Sequence, residues 1–391
     1  MYLTREQEKM LRGEYGWSTA KAMEIIVKVG EALGAEELVE IVHAHISGVS
    51  YSTIGRYGAE FIREIILRGG KTRVFTTINP GCVDYSGFSG IIDNSLLDYQ
   101  RLIDDPLREA GVKPVFTCIP YFYRTPLPGE HLAWGESSAV IFANSIYGGF
   151  TNREGGPVAL AAALTGFTYN AGLHLLENRV GRVEIKVNAR TLTMPIGALG
   201  LWVGEEVKAI PHIRGLRGVQ LFDLKNMLAS AAASGNHALI IIDEITPMGT
   251  FRLDLTEKVE PEISVLENYL GDNCAGSNIL GYIGCPHTTP QELLLIARLV
   301  KRHGKPRRGK LLVTIPAEFT RIHRNIVLEL RAMGVDIAAG TCPVVSRFKE
   351  KFDCILTNSG KALFYLRRVH GVKVKLAGVK EIVKQLSGVQ K

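Results

Sequence analysis

Three cysteines share a local pattern. Cys118 in "VFTCIPY", Cys285 in "GYIGCPH" and Cys342 in "GTCPVV" each follow an apolar, β-like run, and each has a proline one or two residues later. Proline fixes φ and gives up its N–H, so it ends the strand and stiffens the turn that follows. Thiols held on such turns can converge from distant parts of a chain. Three soft sulfur ligands without a fourth suit two chemistries: zinc with an open position, or an iron–sulfur cluster with one iron left for substrate. His287, two residues after Cys285, either completes a Cys₃His zinc site or bonds a cluster sulfide or the substrate. No Cys-x-x-Cys occurs among the six cysteines. Cys354 reads as a core strand residue, and Cys274 and Cys82 as loop thiols, none of them a ligand. Without a secretion signal, thiols or metal ligands are expected here rather than disulfides.

A second group of residues carries oxygen and nitrogen. The stretch from 130 to 180 is rich in Gly, Ala, Ser and Asn, as a lined cavity would be. Within it Glu136, Ser137 and Ser138 could orient a substrate or move a proton, although helix capping accounts for the serine pair nearly as well. Asn144 and Ser145 follow as polar candidates for the same wall. In "TNREGGP", the planar fork of Arg153 suits a carboxylate or phosphate, with Thr151 and Asn152 adding directed bonds; the rival reading pairs Arg153 with Glu154 at the surface. In "TNSGK", Asn358 or Ser359 caps a helix and leaves Lys361 in its first turn, where a cation opposes the helix dipole unless it meets an anion. This is not a P-loop, because Ile355 stands where its first glycine belongs and Ala362 replaces Ser or Thr. Ser47, Gly48, Val49 and Ser50 could hold phosphate through backbone N–H groups or form an ordinary turn.

The elements that must position these residues alternate. Helical spacing covers 17–33 and 54–68, and "VEIVHAHIS" and "TRVFTTINP" read as strands on either side of the second. "NSLLDYQRLIDDPLREAG" predicts a helix interrupted at Pro106, followed by a short strand "KPVFTC". In the last third, "ILGYIG", "KLLVTIP", "VDIAAG", "FDCILT" and "VKVKLAG" are β-like, and helical segments near 290–303, 317–333, 360–368 and 378–386 separate most of them. Thr289 is placed to cap the first of these helices, with Pro290 at its first position and Glu292 in its first turn. This order predicts an α/β protein whose C-terminal domain is doubly wound around a mainly parallel sheet, with ligands gathering beyond the carboxyl ends of the strands. Three regions are expected: 1–200 with the polar segment, 201–277, and 278–391.

At 391 residues the chain is too long for one ordinary core, and its 46% apolar and 22% charged residues are those of a globular enzyme. The amino terminus lacks the apolar region of a signal peptide, and no stretch approaches a membrane span, so a cytoplasmic protein without membrane contact is expected. A formal charge of +7 suits an anionic partner. The densest basic run, "KRHGKPRRGK", has no interleaved aromatics, so nucleic acid is not the expected partner; a cluster-bearing nucleic-acid binder is nevertheless the rival reading from another class.

"TCIPY", "HLAWGESSAVIFANS", "TNREGGP", "GCPH", "TCPVV" and "TNSGK" occur in this order over nearly the whole chain, and together they resemble the aconitase X family. "YLTREQEKMLRGEYG" and "ISGVSY" are similar to its archaeal members. The resemblance implies aconitase-like α/β domains, a [4Fe-4S] cluster held by Cys118, Cys285 and Cys342, and a small subunit supplying the swivelling domain that this chain lacks. It implies a hydro-lyase that dehydrates (R)-5-phosphomevalonate to trans-anhydromevalonate 5-phosphate in a modified mevalonate route to isoprenoids. The family's other reading is dehydration of cis-3-hydroxy-L-proline, which needs no phosphate site. In related aconitases the base is a serine on the mobile domain, which by analogy puts the base on the partner and leaves this chain inactive alone. Ile119, the "TT" after "GCPH" and Phe150 depart from the family pattern, and they touch pocket shape more than ligation.

Overall fold

The structure is a computed structural model that describes residues 1–388; the last three residues of the expected 278–391 region lie outside it. Near the amino terminus, β1 (Leu38–Glu40) and β2 (His43–Ile46) come from the one run read as a single strand. They belong to different sheets. β2 lies between β3 (Phe75–Ile78) and β4 (Leu132–Trp134), parallel to both. β1 instead pairs antiparallel with β5 (Phe167–Tyr169), because the chain turns aside at Ile41 and Val42, whose N–H groups donate to Gly166 and His131.

A middle sheet orders its parallel strands β8-β7-β6-β9, from β6 (Val180–Lys186), β7 (Pro211–Arg214), β8 (Ile241–Ile242) and β9 (Arg252–Val259). The last third forms five parallel strands in the order β12-β11-β10-β13-β14: β10 (Ile279–Ile283), β11 (Lys310–Ile315), β12 (Val335–Ala339), β13 (Cys354–Thr357) and β14 (Lys373–Leu376). This is the expected doubly wound sheet, and its strand order reverses at β10 and β13. Strands buried on both faces need near-continuous apolar runs, which is why this region was the easiest to read. The helix Pro290–His303 begins on a full capping box between Thr289 and Glu292.

Several local expectations fail for physical reasons. Pro106 does not interrupt the helix Leu97–Glu109; it forfeits one donor within a turn of the helix end and still accepts from the Ala110 N–H. The segment before Cys118 is not a strand, because Phe116 adopts φ +42°, although Lys113 and Thr117 donate to the β3 carbonyls of Thr76 and Ile78. The helix expected over 317–333 breaks at His323 into Phe319–Ile322 and Arg324–Ala332. Cys274 and Cys354 form a disulfide, with Cα atoms 5.6 Å apart, against the expectation of a loop thiol and a core thiol. The Asp353 carboxylate draws the loop in by accepting from the N–H groups of Ser277 and Asn278. No helix among the described residues is long and apolar enough to cross a membrane.

Candidate active site

Two parallel sheets turn their carboxyl ends toward one another. From the first, β2 runs into Ser47, β3 into Asn79 and β4 into Gly135 and Glu136; from the last, β10 runs into Cys285, β12 into Thr341 and Cys342, and β13 into Asn358 and Ser359. Backbone and side-chain bonds lock the junction. Gly81 donates to the Gly340 carbonyl at 3.0 Å, the Thr341 hydroxyl donates to the Gly81 carbonyl at 2.7 Å, and the His287 N–H points at the Cys118 sulfur at 3.1 Å. Gly135 and Gly156 let the chain close around Ser47: a Cβ on Gly135 would collide with the Ser47 hydroxyl, and one on Gly156 would lie 2.7 Å from its carbonyl oxygen.

Cys118, Cys285 and Cys342 are all free and buried at this junction. Burial, with help from the nearby Glu136 carboxylate, pushes the Cys118 thiol up to about 12 and Cys285 to about 11, and burial together with the other two sulfurs raises Cys342 well above the ordinary range. Lys361 pulls all three the other way, which puts one cation and three sulfurs in a single buried neighbourhood. A metal is what ionises such thiols outright. Zinc would draw its ligands to about 2.3 Å from sulfur, yet among the described residues no three His, Cys, Asp or Glu side chains are placed to hold one ion. Buried thiols of this kind are donors for zinc and for an iron–sulfur cluster alike.

His287 is buried and neutral, its pKa pulled down to about 4 chiefly by burial. Its Nε2 meets the Thr341 carbonyl at 2.9 Å and must carry the proton, so its unpartnered Nδ1 is a bare acceptor. That favours a hydroxyl or water over a sulfide. Behind the loop, Lys225 makes a buried pair with Glu292 at 2.5 Å and donates to the carbonyls of His287 at 2.9 Å and Pro286 at 3.4 Å. It braces the turn that carries Cys285.

Opposite the thiols, Glu136 caps the helix Ser137–Phe142, accepting from the Ser138 N–H and hydroxyl, and it pairs with Lys361. Lys361 also reaches the Ser137 and Ser138 hydroxyls at 3.2 and 3.5 Å. Burial opposes charge on Glu136, but Lys361, Asn79 and the Ser138 N–H outweigh it and bring the carboxyl down to about 2. Burial likewise opposes charge on Lys361, and Glu136 with the sulfurs raises it above the usual lysine range. Both ions are therefore kept charged. Ser359 caps its helix through the Ala362 N–H and bonds the Cys285 carbonyl, so the cap ties β13 to the Cys285 turn. Asn79, which donates to Glu136 at 3.0 Å, was missed from sequence; its only signal was its place directly after a strand, before a proline.

The other candidates lie differently. Gly48 takes φ +66°, Ser50 bonds Ser52 and the Val345 carbonyl, and the Val49 carbonyl accepts from Gln100, which places this turn against the Cys342 loop. Asn144 bonds the backbone of Thr151 and Ala238, Ser145 accepts from Ile240, and Asn152 bonds Ala171 and Leu173. Arg153 reaches Asn236 at 2.5 Å, while Glu154 is buried against the Tyr169 hydroxyl at 2.7 Å, so the surface pair Arg153–Glu154 does not form. Asn358 lines a separate cleft with Asp223 and Glu381.

Models of the aconitase X first, second and third domains match residues 1–177, 181–272 and 279–388. The chain belongs to the aconitase X family. The crystal structure of Thermococcus kodakaraensis aconitase X in its holo form has a TM-score of 0.90 to this aconitase X chain at 37% identity, covering 99% of this chain and all of that one. A phosphomevalonate dehydratase large subunit of Thermococcus kodakarensis is 38% identical over 98% of this chain and all of its own length. One from Methanosarcina mazei is 33% identical over 99% of this chain and 98% of its own. A cis-3-hydroxy-L-proline dehydratase of Pseudomonas aeruginosa is 27% identical, and the match spans 97% of this chain but 69% of that protein.

Proposed function

We propose that this chain is the large subunit of a phosphomevalonate dehydratase, a hydro-lyase converting (R)-5-phosphomevalonate to trans-anhydromevalonate 5-phosphate in a modified mevalonate pathway of the cytoplasm. What supports the reaction class is the charged Glu136–Lys361 pair with two serine hydroxyls at one sheet junction, to which three buried, free cysteines also belong. The substrate follows from the full-length likeness to chains named for that reaction.

Cys118, Cys285 and Cys342 would hold a [4Fe-4S] cluster with one iron free of protein ligands. When bound, it supplies a Lewis acid for the departing tertiary hydroxyl. Lys361, kept charged by Glu136, would neutralise the substrate carboxylate and so ease loss of the proton from the carbon beside it. Ser137 and Ser138 would orient that carboxylate, and the bare Nδ1 of His287 would accept from a substrate hydroxyl. The turn Ser47–Ser50 and Arg153 are the candidates for phosphate. The small subunit would close the site and carry the base.

The test is anaerobic purification with the small subunit, iron and sulfide counts, and assay of both (R)-5-phosphomevalonate and cis-3-hydroxy-L-proline by loss of water. Turnover of the phosphorylated acid alone is expected. Turnover of hydroxyproline alone would replace the substrate, and iron-free protein with full activity would remove the cluster.

A further inference from the structure

Behind Asn79 the first sheet carries polar side chains where a parallel sheet normally buries apolar ones. His43 and His45 lie two apart on β2, and Thr77 on β3 stands opposite His45 in register. All three are completely buried, with the Trp134 ring edge-on to both imidazoles, its centroid 5.1 Å from that of His43 and 6.2 Å from that of His45. Nδ1 of His45 and Nε2 of His43 each lie 2.8 Å from the Thr77 hydroxyl, and Nε2 of His45 lies 3.4 Å from Oδ1 of Asn79.

Donors and acceptors can be assigned along this chain from its far end. Asn79 donates its NH₂ to Glu136, so its Oδ1 must accept, and His45 must carry its proton on Nε2. The Nδ1 of a neutral His45 is then an acceptor and takes the single Thr77 hydroxyl proton. Thr77 has no second proton, so it must accept from Nε2–H of His43, which leaves Nδ1 of His43 bare; that atom has no partner. Burial holds both imidazoles neutral, with His45 pulled down to about 4 and His43 well below its usual range.

We propose that His43, Thr77 and His45 form a one-way hydrogen-bond chain that fixes the Asn79 amide with its NH₂ toward Glu136. Thr77 and His45 are then positioning residues. A turned amide would aim a carbonyl oxygen at the carboxylate, repelling it and loosening its hold on Lys361. Hydroxyl polarity at position 77, rather than volume, is what the site needs.

The proposal rests on the function above only for the substrate of its kinetic arm. The first experiment is ¹⁵N-histidine NMR of the wild-type large subunit alone at pH 7, with His45 assigned from a His45→Gln spectrum. The expected result is a neutral His45 with its proton on Nε2; a proton on Nδ1 overturns the chain whatever the substrate proves to be. In the complex with the small subunit, Thr77→Val is expected to lower kcat on (R)-5-phosphomevalonate roughly 10- to 100-fold, as loss of supporting hydrogen bonds does, at unchanged iron content, while Thr77→Ser restores it. Wild-type kcat in Thr77→Val, or equal loss in Thr77→Ser, overturns the proposal. A wild-type complex inactive on this substrate sinks the functional reading instead, and the NMR result still decides the chain.

Discussion

The two sheets that meet at the site deliver different chemistry. The five-stranded sheet supplies sulfur from strand ends, at Cys285 and Cys342, while the three-stranded sheet supplies Asn79 and Glu136 and backs them with buried imidazoles. Each also sends one residue across. Cys118 leaves the first region to stand under the His287 N–H, and Lys361 leaves the last to pair with Glu136. In the proposed site neither set is complete without the other, so the proposal places function at the junction rather than in either domain.

The strongest blow falls on the sulfur side. Cys285→Ser is expected to lose iron and fall to background activity, and retention of full iron would take that residue out of the ligand set. Next is the crossing cation. Lys361→Met leaves a buried carboxylate without its partner, which should destabilise the fold by about 3–5 kcal/mol and slow turnover about 10²- to 10³-fold. The double variant Lys361→Met, Glu136→Gln should recover much of the stability, read by urea unfolding, but none of the rate.

Acid acts more gently, and it separates the imidazoles of the three-stranded sheet from the carboxylate they support. His45 titrates near 4 in the fold, held down by burial, and near 6.5 in the open chain; His43 is depressed in the same direction. Between those values the unfolded chain binds protons that the folded chain refuses, so stability should fall as pH drops from about 6.5 to 4, by roughly 1 kcal/mol per pH unit for each histidine. Glu136 has the same sign in a lower window: its folded carboxyl lies near 2, so the stability it contributes is intact above about 4.5 and is lost only toward 2. Thermal melts across pH 4–7 should therefore report the histidines and not the carboxylate. The smallest effect on turnover belongs to the disulfide. Cys274→Ser should keep wild-type activity while losing about 2–4 kcal/mol of stability, since the bridge closes a loop of 80 residues.

The same contrast explains what could be read from sequence. Strands of the last sheet announce themselves as apolar runs ended by Gly, Cys and Pro, so Cys285, Cys342 and the Thr289 cap were legible together with the doubly wound order. Cys118 was legible by its proline, although the strand before it is broken at Phe116. In the first sheet the informative residues are polar and alternate, His43 with His45 and Thr77 with Asn79, and one strand cannot announce which neighbour it will face. Their partnership is a matter of register, which no single segment encodes. The Cys274–Cys354 bridge was hidden similarly, because the loop that returns residue 274 to β13 is held by bonds from Ser277 and Asn278 to Asp353, a pairing across the fold that neither segment encodes alone.

The close fit around Ser47 has a consequence for how this scaffold diversifies. With Gly135 and Gly156 already at the limit of close approach, even one added methyl group there would push the Ser47 turn out of place. Changes that reshape the site must then come from residues away from this contact, while the two glycines stay fixed.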